Sequence, residues 1–170
     1  QRRELTRCFV GTHLCELLLT KGHSVVGLDL GLRYEKLKEY ENFHFIQDTI
    51  KNFDIVQKGI DGCDFVCHLA GIAEPNQYVE NPRKVIDITA ICGMKIVDMC
   101  RLSGKPILFT STSEIYGKST KIPFREDDDR VLGSTKTKRW CYSSSKAIVE
   151  HYLDACASEG DIKFVTVRDS

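Results

Sequence analysis

The sequence has no excess of charge of either sign, and this absence excludes several classes of partner. Lysine plus arginine and aspartate plus glutamate number 24 each, so no net field would draw the chain to nucleic acid or to an anionic membrane. Long hydrophobic runs are also absent, because the apolar stretches are strand-sized and well short of the roughly 20 residues that a membrane span needs. No secretory signal is recognisable in the charged first residues.

Motifs for metal or disulfide binding are missing as well, although the chain has 8 cysteines and 5 histidines. The cysteines form no C-x-x-C pair, and most lie in apolar segments, where a thiol behaves as a small hydrophobic side chain. We therefore expect reduced, structural cysteines and a cytoplasmic location. The acidic run 126–129 is expected to be a solvated charge run, since hard cations need ligands that converge from spaced positions.

Strand and helix signals alternate along the chain, which predicts an α/β fold with a largely parallel sheet. With 170 residues, of which 42% are hydrophobic, the chain is long enough for one domain with a real core. Gly22 is placed to end the first helix. We expect strands at 23–30, 43–47, 64–69, 106–110 and 162–167, helices at 12–21, 53–59, about 83–101 and about 142–158, and a loop over most of 118–139.

The strongest chemical signal is Tyr142-Ser-Ser-Ser-Lys146 at the start of a helix, after a strand that ends in a run rich in serine and threonine. At a spacing of four residues, the tyrosine and the lysine share one helix face. A nearby ammonium stabilises a phenolate and lowers its pKa from about 10, so that the tyrosine can act as a base near neutrality. Thr112 can hydrogen-bond the same substrate oxygen. A Y-x-x-x-K pair alone is common on exposed helices, and it is the preceding motifs that favour a catalytic role.

Together these motifs resemble the extended short-chain dehydrogenase/reductase superfamily, and within it the NAD-dependent epimerase/dehydratase family of sugar-nucleotide enzymes. The resemblance extends from about Phe9 to Val167. It is carried by the segments 9–14, 26–29, 68–71, 111–117 and 142–146, together with Asp48. It implies a doubly wound, Rossmann-like parallel sheet, NAD as the cofactor and a UDP-sugar or another nucleotide sugar as the substrate.

The resemblance also implies roles for single residues. Tyr142 would take a proton from a sugar hydroxyl that Thr112 positions, while Lys146 holds the nicotinamide ribose. Asp29 would accept hydrogen bonds from the adenosine ribose, which favours NAD over a 2′-phosphorylated cofactor; its plainer role is that of a turn or cap residue. The remaining implied cofactor contacts are Gly11 at the phosphate loop, Asp48 at the adenine, and Leu69, Ala70 and Gly71 along the groove.

Glu114 bears on the type of reaction. The Ser-Thr-Ser-Glu string and the Arg139-Trp-Cys-Tyr142 string are similar to those of UDP-glucuronate decarboxylases, in which oxidation at C4 precedes loss of carbon dioxide. A glutamate at this position also resembles that of the 4,6-dehydratases, where it takes part in eliminating water. A third possibility is a strand-end carboxylate that faces solvent. Epimerisation, dehydration and decarboxylation all stay open.

Several features depart from the family pattern. Only Gly11 remains of the glycine-rich phosphate loop, and the residues before Phe9 are too charged for a strand buried on both faces. Thr89 stands where the family usually has asparagine. The chain also ends soon after the strand that reaches Val167. We therefore expect residues 1–170 to form a partial NAD-binding Rossmann domain that lacks the first strand and most of the substrate domain.

Two hypotheses follow. The first is an NAD-dependent epimerase, dehydratase or decarboxylase that oxidises C4 of its sugar at a Thr-Tyr-Lys site. The second is a catalytically inactive fragment or isoform that keeps only a helix-mediated dimer interface. In this family the helix at 83–101 and the Tyr142 helix typically pack against a second subunit, so the resemblance implies a homodimer.

Overall fold

A computed structural model of the chain describes residues 9–31 and 35–169. The chain forms two compact units, Gln1–Cys63 and Asp64–Ser170. The residues before Phe9, where the sequence predicts a degenerate phosphate loop and no strand, lie outside the described residues. In the described part, no helix combines the length and the apolar character needed to cross a membrane.

The first unit is a two-stranded parallel sheet with flanking helices. Along the chain it contains α1 (Phe9–Thr20), β1 (Val25–Asp29), a 3-10 helix (Glu35–Glu39), β2 (Phe43–Gln47) and α2 (Phe53–Asp61). The pairing of β1 with β2 runs from Val25 opposite Phe43 to Asp29 opposite Gln47. Gly22 has a φ of +84°, a conformation that glycine adopts without strain, and it follows the end of α1 as predicted.

The second unit contains a three-stranded parallel sheet in the order β3-β4-β5. Its elements are β3 (Val66–His68), α3 (Pro75–Glu80), α4 (Pro82–Ile86), α5 (Cys92–Leu102), β4 (Ile107–Thr112), α6 (Trp140–Ser158) and β5 (Phe164–Asp169). A π-helical segment (Asp87–Ile91) joins α4 to α5, and a 3-10 helix (Ser113–Tyr116) follows β4. The prediction of an α/β fold with parallel sheets is confirmed.

The core of the second unit lies between its central strand and two helices. Ile107 and Phe109 of β4 are fully buried, as are Val97 of α5 and Val149 and Leu153 of α6. Because β4 pairs with strands on both sides, its backbone groups are satisfied and it can be buried without cost to hydrogen bonding. Strand β4 therefore fixes the position of the 3-10 helix that follows its carboxyl end.

The predicted helix at 83–101 is continuous but not uniformly α-helical. Five of its residues, Asp87–Ile91, are π-helical, and Cys92, Ile96, Met99 and Cys100 are buried after that segment. The hydrophobic pattern predicts a helix but not its hydrogen-bond type, because a π-turn needs only one extra residue. Helix α3 was not predicted because it is only six residues long, beginning at Pro75 and ending shortly before Pro82.

We predict that the buried leucine of α6 is a main source of stability in the second unit. Leu153→Ala removes a side chain with 0% exposure and should lower the free energy of unfolding by about 2–5 kcal/mol. The matched control is Leu102→Ala at the end of α5, where the side chain is 76% exposed and the change should stay within about 0.5 kcal/mol. Urea denaturation measures both, and equal losses in the two variants would contradict the assigned core.

Candidate active site

The carboxyl end of β4 carries the first two predicted site residues. Thr112 ends the strand, and its hydroxyl oxygen accepts a hydrogen bond from the backbone N–H of Glu114 at 3.2 Å. That bond starts the 3-10 helix, which turns the glutamate side chain back into the protein. One carboxylate oxygen of Glu114 is buried and has no hydrogen-bond partner among the described residues. A buried carboxylate oxygen without a hydrogen-bond partner is costly, and such groups are concentrated at sites of function.

Tyr142 lies in the first turn of α6 and is only 6% exposed. Its ring stacks on that of Tyr78, with the ring centroids 4.6 Å apart and the planes 8° from parallel. Burial, together with the negative charges of Glu114 and Asp169, raises the pKa of Tyr142 to about 12. The phenol is therefore protonated at neutral pH in this structure.

Lys146 lies one helical turn after Tyr142 and is 3% exposed. Its ammonium donates a 2.6 Å hydrogen bond to the carbonyl of Thr110 and lies 4.8 Å from the ring centroid of Phe109. Burial lowers the pKa of Lys146 to about 8, and the charge of Glu150 opposes that change. The lysine is thus poised near neutrality, a property typical of catalytic amines.

The expectation that Lys146 lowers the pKa of Tyr142 stays a prediction, because Lys146 does not contribute to that pKa in this geometry. The two side chains share a helix face as predicted, but the ammonium bonds to Thr110. The pKa of Tyr142 is instead governed by burial and by two carboxylates. The spacing of four residues determines on which helix face the two side chains lie. It does not determine which acceptor the flexible lysine side chain binds.

The segment after β3 approaches the same lysine. A Cβ atom built on Gly71 would lie 3.3 Å from the lysine nitrogen and 3.8 Å from the hydroxyl oxygen of Thr89. Gly71 is exposed, so its bare backbone leaves room beside Lys146 for a ligand that a larger residue would crowd. A bare glycine beside a buried ammonium is compatible with the close approach of a hydroxyl-bearing group such as a ribose. Thr89 is buried, and its hydroxyl accepts a hydrogen bond from the N–H of Ile72 at 3.4 Å.

The first unit brings together the two predicted aspartates. Asp29 ends β1, and its carbonyl accepts a hydrogen bond from the N–H of Asp48 at 3.2 Å. The carboxylate of Asp29 accepts from the N–H of Gly31 at 2.7 Å, and that of Asp48 accepts from Thr49 and Asn52. Both side chains thus shape turns at the carboxyl ends of adjacent parallel strands, where α/β proteins bind nucleotides. Gly11 lies within α1.

Tyr78 and Asp169 are further neighbours of the site that the sequence does not predict. Tyr78 lies in the short α3, and no motif marks it as a partner of a tyrosine 64 positions later. Asp169 lies opposite Thr112 in the β4–β5 register, because β5 extends two residues beyond the predicted strand end at Val167.

His68 is a further buried group, and burial lowers its pKa to about 3, so it is neutral. Within residues 9–31 and 35–169, His, Cys, Asp and Glu form no cluster that could hold a metal ion.

Comparison with known proteins gives one family. The model of the NAD dependent epimerase/dehydratase family matches residues 6–170. The bifunctional polymyxin resistance protein ArnA of Wigglesworthia glossinidia brevipalpis is 35% identical over 166 residues, which are 94% of this chain and 25% of that protein.

Solved structures agree with the family model. The PbgP3 protein of Burkholderia pseudomallei is 30% identical with a TM-score of 0.88 over 94% of this chain and 49% of that one. A UDP-N-acetylglucosamine 4-epimerase of Methanobrevibacter ruminantium, solved with UDP-N-acetylmuramic acid, is 24% identical with a TM-score of 0.83 over 94% of this chain and 51% of that one. The chain thus spans about half the length of these structures and a quarter of the curated relative.

We predict that the buried ammonium of Lys146 makes the stability of the chain depend on pH. Its folded pKa, about 8, lies below the unfolded value of 10.5, so the folded state bears a charge penalty below pH 8 and loses it as the pH rises towards 10.5. Relative to Lys146→Met, the wild-type chain should gain about 2 kcal/mol in unfolding free energy between pH 7.5 and 10.

Denaturant titrations at each pH measure this difference. The matched control is Lys84→Met, which removes an exposed lysine of α4 and no buried charge. If the difference between the wild type and Lys146→Met does not change with pH, the ammonium is not buried as described.

Proposed function

Because the chain belongs to the NAD dependent epimerase/dehydratase family, we propose that Thr112, Tyr142 and Lys146 form the centre at which C4 of a nucleotide-linked sugar is oxidised. The enzymes of this family use NAD, which supplies the oxidising equivalent when it is bound. The observation that carries the proposal is the arrangement around the first turns of α6: Glu114, from the turn after β4, acts electrostatically on Tyr142, and Lys146, one turn later, lies beside Gly71.

Tyr142 acts as the base in this proposal, and its pKa must fall for it to do so. An ammonium within hydrogen-bonding reach stabilises a phenolate. The Lys146 side chain lies on the correct face to leave the Thr110 carbonyl and approach the phenol, and its own pKa near 8 keeps it largely charged at neutral pH. The hydroxyl of Thr112 positions the sugar oxygen from which the proton is taken.

Glu114 is the residue we assign to the step that follows oxidation. One of its carboxylate oxygens is buried, and its charge acts on Tyr142, so we place it beside the sugar that the tyrosine deprotonates. In a decarboxylase it would assist the loss of carbon dioxide from a β-keto acid, and in a dehydratase it would assist the elimination of water. An epimerase would need no such group, so we favour the first two outcomes over the third.

Cofactor binding is assigned within each unit separately. In the first unit, Asp29 and Asp48 would bind the adenosine end, and the carboxylate of Asp29 would repel a 2′-phosphate, which selects NAD. Gly11 would lie against the pyrophosphate at the start of its helix. In the second unit, Leu69, Ala70 and Gly71 would line the nicotinamide end, and Lys146 would hold its ribose.

Isothermal calorimetry with NAD, followed by mass analysis of products, tests the proposal. Saturable NAD binding and turnover of UDP-glucuronate or UDP-glucose are expected, and loss of carbon dioxide, loss of water or an unchanged mass identifies the reaction. Tyr142→Phe should lower kcat by about 100-fold or more, because it removes the base. Tyr40→Phe, a tyrosine of the first unit, is the matched control. An active Tyr142→Phe variant would refute the assignment.

The second candidate function is association with another copy of the chain without catalysis, through the helices of the second unit. Its support is the exposure of three isoleucines on these helices. Ile86 and Ile91 lie at either end of the α4–α5 junction, and Ile148 lies on α6 with 45% of its surface exposed. Contiguous exposed apolar patches mark candidate association surfaces, and the helices that carry these three isoleucines pack against one another. This surface would also serve the homodimer that the family resemblance implies.

We predict that Ile148→Glu makes the chain monomeric, because it places a charge within the apolar interface. Sedimentation velocity should show a dimer for the wild type and half that mass for the variant. Ile122→Glu, at an isoleucine of the 118–139 loop that is 87% exposed, should leave the dimer intact. A monomeric wild type would remove the support for this second function and leave the catalytic one untouched.

A further inference from the structure

One arginine near the end of β5 bonds to three other elements around the candidate site. The guanidinium of Arg168 pairs with the carboxylate of Glu150 in α6 at 2.7 Å. It also donates to the hydroxyl of Tyr116 in the 3-10 helix at 2.6 Å and to the backbone carbonyl of Glu126 in the loop at 2.5 Å. Its charged carbon lies 5.3 Å from the ring centroid of Tyr116.

These partners are close in sequence to the residues that carry the proposed chemistry. Glu150 is one helical turn beyond Lys146, and Tyr116 is two residues beyond Glu114. On its own strand, Arg168 lies opposite Ser111, and the next residue, Asp169, lies opposite Thr112. A single guanidinium therefore connects the helix of the base, the turn of the carboxylate and the strand end whose aspartate acts electrostatically on Tyr142.

The geometry requires an arginine rather than any cation. A guanidinium has five N–H donors in a fixed planar fork, whereas a lysine ammonium is a point donor on a flexible stem. The bonds to Glu150 and Tyr116 raise the pKa of Arg168 further above its usual value, so its charge is permanent. The Arg168 side chain keeps 26% of its surface exposed and that of Glu150 keeps 15%, so solvent screens this pair less than a fully exposed one.

We propose that Arg168 is a positioning residue, which fixes α6 and the Ser113–Tyr116 turn at the separation that the Thr112–Glu114–Tyr142–Lys146 site requires. The proposal rests on the function proposed above, because it assigns Arg168 to that same site. A positioning role differs from a purely structural one in its consequence. Loosening the contacts of Arg168 with Glu150 and Tyr116 changes the surroundings of Tyr142 while the chain is still folded.

The chain offers a matched control in Arg101, at the end of α5. This arginine also holds two partners, Asp98 at 2.8 Å and Asp161 at 3.3 Å, with a similar exposure of 29%. Neither partner lies within two residues of a site residue. Arg101→Lys should therefore cost comparable stability without altering the site.

The test compares Arg168→Lys with Arg101→Lys by two measurements. The first is the titration of Tyr142, followed by fluorine NMR on chains labelled with 3-fluorotyrosine and assigned with Tyr142→Phe. Arg168→Lys should lower the pKa of Tyr142 by about one unit, because a loosened site admits water and moves Asp169 away. Arg101→Lys should leave it unchanged. The second is turnover, in which Arg168→Lys should lower kcat about 10- to 100-fold with little change in KM.

Each outcome decides the proposal. If Arg168→Lys and Arg101→Lys give the same Tyr142 titration, Arg168 is structural and the proposal is overturned, whatever the turnover. If the wild type shows no turnover, the proposed function fails, while the titration still decides whether Arg168 positions Tyr142. If Arg168→Lys does not fold, Tyr116→Phe replaces it, since this variant removes one bond and keeps the ring. It should shift the Tyr142 pKa in the same direction by a smaller amount, and an unchanged titration would overturn the proposal.

Discussion

The hydrogen bond from the ammonium of Lys146 to the carbonyl of Thr110 is the interaction on which the rest of the site depends. It joins the first turns of α6 to the central strand of the second unit, and it does so inside a buried layer. A charge at such a depth is costly, and a backbone carbonyl together with the face of Phe109 provides the compensation available there. The position of Tyr142, one turn earlier, follows from this anchor, as do its stacking on Tyr78 and its proximity to Glu114.

The sequence predicted the parts of the fold that rest on hydrophobic pattern and glycine chemistry. The strand at Phe43–Gln47 has the predicted bounds, and α1 ends where Gly22 allows it to. The interior of the site was less predictable. The tyrosine–lysine motif fixes two positions on a helix, but the choice of Thr110 as the partner of the ammonium depends on the packing of β4 against α6. Contacts between distant segments, such as Tyr78 with Tyr142 or Arg168 with Tyr116, leave no local signature in either segment.

Burial moves both central titrating groups towards their neutral forms. It makes the phenol of Tyr142 a poorer acid and the ammonium of Lys146 a better one. Desolvation penalises charge on both groups, and a ligand that contacts either of them changes the balance. The protonation states of Tyr142 and Lys146 therefore depend on whether a ligand is bound. Titration of the two groups measures that dependence.

The π-helical segment at Asp87–Ile91 sets the rotational phase of everything that follows it in the helix. An α-helix turns about 100° per residue, so the extra residue of a π-turn rotates the later side chains by that amount relative to the earlier ones. Val85 before the segment and Ile96 and Val97 after it are all buried. The segment therefore takes up one residue of length: deleting a single residue within it would leave a regular α-helical turn and keep the apolar side of α5 in place, whereas a deletion within α5 would rotate the residues after it by about 100°.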